Sequence, residues 1–196
     1  MKNILLIITL ISFSSCTKLL VRVNGYKCPR YESKGSVLNF ASKNQIEENL
    51  ILFADDTTSF KKTIRHFEST PGIIILNKNL QQLNFQNKNK NCSAPVERFL
   101  LALCNSNATF NYINDNSFLS LLSDLKVQQD HAIDYYIFLV WNKAMGRSLS
   151  KQKKWEELIR TNKSCNQKIY WVNSDLMASW YHLKVGKRVR YSLSRK

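Results

Sequence analysis

Residues Tyr135 to Trp141, YYIFLVW, form the most apolar stretch after residue 16. The run is far shorter than the roughly 20 residues a membrane-crossing helix needs. It has the length of a strand, and its apolarity makes it the central one. Two shorter apolar runs, Leu50–Phe53 and Ile73–Leu76, read as buried strands, and Lys168–Val172 as another. Asn77-Lys78-Asn79 is a turn, and Leu80–Phe85 the strand returning from it. Helical spacing fills the intervals. Val37, Leu38, Phe40 and Ile46 predict a helix over Val37–Asn49. Phe60, Ile64 and Phe67 follow the N-cap candidates Asp55 to Ser59. Pro95 opens a helix to about Cys104, with Val96, Phe99, Leu100 and Leu103 on its buried side. Further helices are expected over Phe118–Leu125, after Ser150 with Trp155, Leu158 and Ile159 inward, and from Asp175 through Trp180. Strands alternating with helices define an α/β class.

The first sixteen residues have a different character. Lys2 precedes the apolar run Ile4–Phe13, and Ser14-Ser15-Cys16 closes it. One charge, a short apolar core and small residues make a secretory signal peptide, here residues 1–15. Ser-Ser-Cys after such a run resembles a bacterial lipobox, with Phe13 standing where Leu is usual. The expected consequence is lipid attachment at Cys16. That would anchor the protein to membrane lipid in the bacterial cell envelope, on the periplasmic face of the outer membrane.

The charge and composition narrow the partners. Apolar residues make up 44% of the chain, as in globular proteins, and five glycines with three prolines argue against a turn-rich sandwich. The net charge of +15 favours anionic partners. Lys184, Lys187, Arg188, Arg190, Arg195 and Lys196 cluster at the end, with no acid after Asp175, and residues 184–196 read as a free basic tail. An exported chain excludes nucleic acid as a partner and leaves an envelope protein. No metal-ligand spacing and no phosphate-cradling glycine loop occurs, so neither metal nor cofactor is expected. His66, His131 and His182 stand in no catalytic context.

Five cysteines remain to be placed: Cys16, Cys28, Cys92, Cys104 and Cys165. Assigning Cys16 to lipid leaves four to pair in an oxidising compartment. Four cysteines allow three pairings, and sequence alone does not choose among them. Cys104 lies on the apolar side of a predicted helix and Cys165 belongs to the second half, so Cys92 is the most plausible partner of a structural Cys28.

The order of elements from Leu19 to Cys104 is strand, cysteine turn, helix, strand, helix, strand, strand, helix. With Thr70-Pro71-Gly72 before Ile73–Leu76, and Asp56 fifteen residues ahead of Pro71, it resembles the thioredoxin superfamily. The resemblance implies a cis bond at Pro71 before a buried strand, and an active cysteine at Cys28. It departs from the family at the second cysteine, because Cys28-Pro29-Arg30-Tyr31 places Tyr31 at the resolving position. Val140 to Ser148 is similar to the family's strand-end stretch, with Met145 and Ser148 in place of the cysteines, and Val172 to Asp175 resembles the end of its second strand. The expected organisation is a thioredoxin-like domain at 16–105, a βαβ region at 110–183 that is an incomplete thioredoxin-like unit, and the tail. Pro71, Cys28 and Cys92 are the structural residues. The expected function is a non-catalytic binding or scaffolding module on an envelope lipoprotein. The alternative is a membrane-tethered thiol-disulfide enzyme with Cys28 as its single nucleophile.

Overall fold

The computed structural model describes residues 26–68, 70, 72–84, 94–105, 108–114 and 116–189. Cys16, Pro71, Cys92 and the strand expected over Leu19–Val23 lie outside the described residues. In chain order the elements are α1 (Lys34–Lys43), β1 (Ile51–Leu52), α2 (Thr57–Glu68), β2 (Ile73–Asn77), β3 (Gln82–Leu83) and α3 (Ala94–Ala102). They continue as β4 (Tyr112–Ile113), α4 (Asn116–Asp124), β5 (Tyr135–Trp141), α5 (Arg147–Thr161) and β6 (Gln167–Asn173).

The strands form one mixed sheet in the order β1-β6-β5-β2-β3-β4. β1, β6 and β5 run parallel, and β2 is antiparallel to β5 over five residue pairs, Ile73↔Leu139 to Asn77↔Tyr135. Residues on both sides of the Asn105–Asn107 stretch therefore share one sheet. β5 is central, as its apolarity requires. It lacks polar alternation because helices cover both of its faces.

Strand periodicity sends alternate residues to opposite layers. Ile73, Ile75, Ile137, Leu139, Trp141, Ile169 and Trp171 face a core completed by Val37 and Ala41 of α1, Val96 and Leu100 of α3, and Leu149, Trp155 and Ile159 of α5. Ile74, Leu76, Tyr136, Phe138, Tyr170 and Val172 face the other core, closed by Phe67 of α2 and by Phe118, Leu121 and Leu122 of α4. Each fully buried large side chain contributes about 1.5–3 kcal/mol. Trp141, Trp155 and Trp171 therefore weight the first core heavily.

Local chemistry sets the boundaries. The Asp56 carboxylate accepts from the amides of Thr58 and Ser59, both at 2.8 Å, and starts α2 as expected. Those bonds hold its carboxyl below the ordinary range, the Ser59 amide most strongly. α1 begins earlier than its apolar spacing suggested, because Ser33 accepts from the Ser36 amide at 3.2 Å. It stops at Lys43, where Asn44 caps it and Gln45 turns left-handed at φ 55°. α5 starts at Arg147, so Ser150 lies inside its first turn rather than at its cap. β3 is shorter than the expected return strand because Leu80 spends a residue at φ 59° in the turn.

Two expectations are corrected. Cys104 is bonded to Cys165, with Cα atoms 5.4 Å apart, and Cys28 is a free, exposed thiol. The pairing arises because the end of α3 meets the loop leading into β6, where the Gln167 amide donates to the Cys104 sulfur at 3.1 Å. The basic segment is also not free along its whole length. The Tyr31 amide donates to the Lys187 carbonyl at 2.9 Å, Gly186 to Tyr31 at 2.8 Å and Val189 to Pro29 at 3.0 Å.

Candidate functional site

β5 and β6 end side by side, and in open α/β sheets the carboxyl ends of strands are where crevices form. Asn142 organises the loop after β5. Its Oδ1 accepts from the Ala144 amide at 2.9 Å and its Nδ2 donates to Ser174 Oγ at 3.0 Å. The Ser174 amide closes back on the Trp141 carbonyl at 2.7 Å. These bonds splay the two loops in a fixed arrangement and place Lys143 over Asp175.

Asp175 retains 6% of its surface. Its carboxylate accepts from the Lys143 amide, 3.2 Å from each oxygen, and from Asn173 Nδ2 at 2.9 Å. Burial outweighs those bonds and raises its pKa to about 6, with the Glu32 charge adding to the rise.

Glu32 reaches the same place from the other end of the chain. Its backbone is held by Leu176, whose carbonyl accepts from the Glu32 amide at 2.8 Å, and by Ala178, whose amide donates to the Glu32 carbonyl at 2.8 Å. Its carboxylate accepts from Lys143 Nζ at 2.6 Å and from Ser36 Oγ at 2.8 Å. Lys143 Nζ also donates to Ser36 Oγ at 2.6 Å. One ammonium group thus neutralises a buried carboxylate while its own backbone amide serves a second.

Above this triad lies a cleft of about 510 Å³. Lys27, Cys28, Arg30 and Arg188 line its mouth, and Glu32, Lys143, Ala144 and Asp175 its floor. The Lys27 amide donates to the Ala144 carbonyl at 3.1 Å and ties the cysteine segment to the loop after β5. The site therefore holds a carboxyl that exchanges a proton near pH 6, a cationic rim and an open thiol.

Of the residues singled out in the sequence, the structure brings Cys28, Arg188 of the basic cluster and Asp175 to this cleft. Met145 packs against the first core, and Ser148 Oγ lies 2.6 Å from the Tyr26 hydroxyl. The Cys104–Cys165 bond sits just before β6, while Cys28 lies beyond its far end. Seven residues of strand separate those levels by about 20 Å. Tyr31 packs edge-on against Tyr181 with centroids 5.4 Å apart. His66 stands edge-on to Phe118, and no histidine lines the cleft among the described residues. No cluster of three metal-ligating side chains occurs among them either. Glu32, Ser36 and Lys143 were missed by sequence reading. Asp175 was read as a helix opener and as the close of a strand-end stretch, but not as a site residue.

Comparison with family models, with curated proteins and with solved structures gives no match for this chain.

Proposed function

We propose that this chain is a bacterial envelope lipoprotein, anchored through Cys16, whose α/β domain is a binding module with the cleft over Glu32, Lys143 and Asp175 as its ligand site. The observation that carries the binding reading is the construction of that cleft. A part-buried ion pair, in which Glu32 is the buried partner, and a buried carboxyl are held by backbone and side-chain bonds beneath an open cationic mouth. The Cys104–Cys165 bond fits an oxidising compartment and so supports export.

A divergent, rearranged thioredoxin-like fold accounts for the element order. α2-β2-β3-α3 supplies the helix–strand–strand–helix half, as the sequence suggested. The strand–helix–strand half beside it in the sheet is β5-α5-β6, from the second part of the chain. On this reading the cleft occupies the end of the sheet where that family keeps its reactive cysteine.

A second reading, a single-cysteine thiol enzyme, is favoured by one observation: Cys28 is unpaired and exposed at the mouth. Against it, the disulfide among the described residues lies at the opposite end of the sheet. No described thiol is near enough to release a mixed disulfide at Cys28.

Two measurements test the proposal. A fatty-acid analogue should label the protein in cells, and Cys16→Ser should abolish the label; wild-type protein recovered unlabelled in the medium refutes the anchor. The purified protein with glutathione should reduce a model protein disulfide no faster than glutathione alone. Turnover that Cys28→Ser removes would replace the binding module with the enzyme.

A further inference from the structure

The first and last described segments run together. Arg30 and Arg188 form an antiparallel bridge, flanked by the Tyr31–Lys187 and Val189–Pro29 bonds. The chain before Tyr26 and the chain after Val189 therefore both join the domain at the end of the sheet that holds the cleft. Tyr26 is ten positions after Cys16, a span of at most about 35 Å.

The surface at that end has a definite composition. Lys27, Arg30, Lys184, Lys187 and Arg188 are all exposed, and none forms an ion pair among the described residues. Three of the six large apolar side chains exposed among the described residues, Tyr26, Tyr181 and Val185, lie in the same two terminal stretches. Aromatic and apolar groups interleaved with Lys and Arg are the composition of a surface that sits at a bilayer interface. The opposite end of the sheet, at the β2–β3 turn and the α5–β6 loop, has only scattered cations such as Lys78 and Lys163.

We propose that this end of the domain is a membrane-docking face for anionic phospholipid headgroups, with Arg30 and Arg188 at the cleft mouth as its centre. The inference rests on the cleft being a binding site and names its partner. It does not depend on lipid at Cys16, because a single acyl chain and a basic surface are separate membrane signals. Basic residues at an anionic surface each strengthen binding by about fivefold, and salt screens them.

The test uses residues 17–196, which carry no lipid site. The described residues from Tyr26 onward contain all six described strands and both described cores. Sedimentation with vesicles of phosphatidylcholine containing one-third phosphatidylglycerol should show binding that pure phosphatidylcholine does not, weakening at least tenfold from about 0.1 to 0.5 M salt. Arg30→Glu with Arg188→Glu should abolish binding. Lys78→Glu with Lys163→Glu, an equal change of net charge at the far end, should leave most of it. Equal binding to both vesicle types, or equal losses in the two charge-reversed variants, overturns the docking face. Circular dichroism of both variants separates a loss of fold from a loss of binding. Disulfide turnover by Cys28 would displace the binding-only reading of the cleft without altering any of these readouts.

Discussion

Asp175 should make this protein less stable at neutral pH than at pH 4, and Asp175→Asn should remove the effect. The carboxyl ordinarily titrates at 3.8, but burial raises its pKa to about 6 in the folded chain. A group that holds its proton more tightly when folded adds protons to the native state between those two values. The slope of stability with pH follows the protons bound in the unfolded state minus those bound in the native state, so it is negative there. Stability is highest below about pH 4 for this group's contribution and falls as pH rises through 6. At about 1.4 kcal/mol per pH unit, the full difference is about 3 kcal/mol. Asn keeps an oxygen for the Lys143 amide and carries no charge at any pH, so it mimics the protonated acid. Urea unfolding of both proteins from pH 4 to pH 8, with the disulfide intact, isolates the residue, since other titrations cancel in the difference. The variant should match wild type near pH 4 and exceed it by about 3 kcal/mol at pH 8. A difference that does not change with pH, or a variant weaker only at pH 8, refutes the reasoning. Glu32 and Lys143 are the charged groups facing Asp175 and must be kept in both proteins.

Three further outcomes follow from other parts of the fold. Lys143→Met should cost about 2–3 kcal/mol because it strands the buried Glu32 carboxylate, and adding Glu32→Gln should return most of that loss in the same urea assay. Cys104→Ala with Cys165→Ala releases a loop spanning a separation of 61 residues, which chain entropy values at about 4 kcal/mol; mass spectrometry of the unreduced wild type should find those two peptides joined. Gly72→Ala should cost about 1–2 kcal/mol, because Gly72 sits at φ 88° and a new Cβ would meet Gln152 Nε2 at 3.3 Å; a neutral result by thermal melting contradicts the left-handed turn before β2.

The strands buried on both faces were legible because their signal is local. Tyr135–Trp141 could be bounded to the residue, and Ile73–Leu76 nearly so, since a continuous apolar run between turn residues has few other uses. β4 was invisible: two residues, one of them exposed, carry no period. Pairing was the harder loss. A strand's sequence states that it is buried, not beside what, so nothing in Ile73–Asn77 reveals that its partner lies some sixty residues ahead in β5. The disulfide failed for the same reason. Cys104 looked like a buried thiol because its helix face is apolar, and that face also meets the loop holding Cys165. The site is the extreme case. Lys143 and Glu32 are 111 residues apart, and neither lies in a motif.

The Glu32–Lys143 pair holds position more than it adds stability. Glu32 is the one buried residue between Tyr26 and Ser33, a segment with neither helix nor multi-residue strand to fix its register. A buried ion pair seldom outperforms an apolar pair of similar size, because desolvation cancels most of the attraction. Such a pair does penalise every register in which one charge lacks its partner. Here that register sets where Cys28 and Arg30 stand at the mouth of the cleft. Replacing both residues, Glu32→Met with Lys143→Leu, should therefore leave global stability within about 1 kcal/mol of wild type. The anchoring of residues 26–32 should loosen even so. Native-state hydrogen exchange reads this at two amides, those of Tyr31 and Glu32, which donate to Lys187 and Leu176. Both should exchange through local opening in the double variant and much more slowly in wild type. Unchanged protection at those amides, with stability retained, would mean that the backbone bonds alone hold the segment and that the ion pair sets nothing.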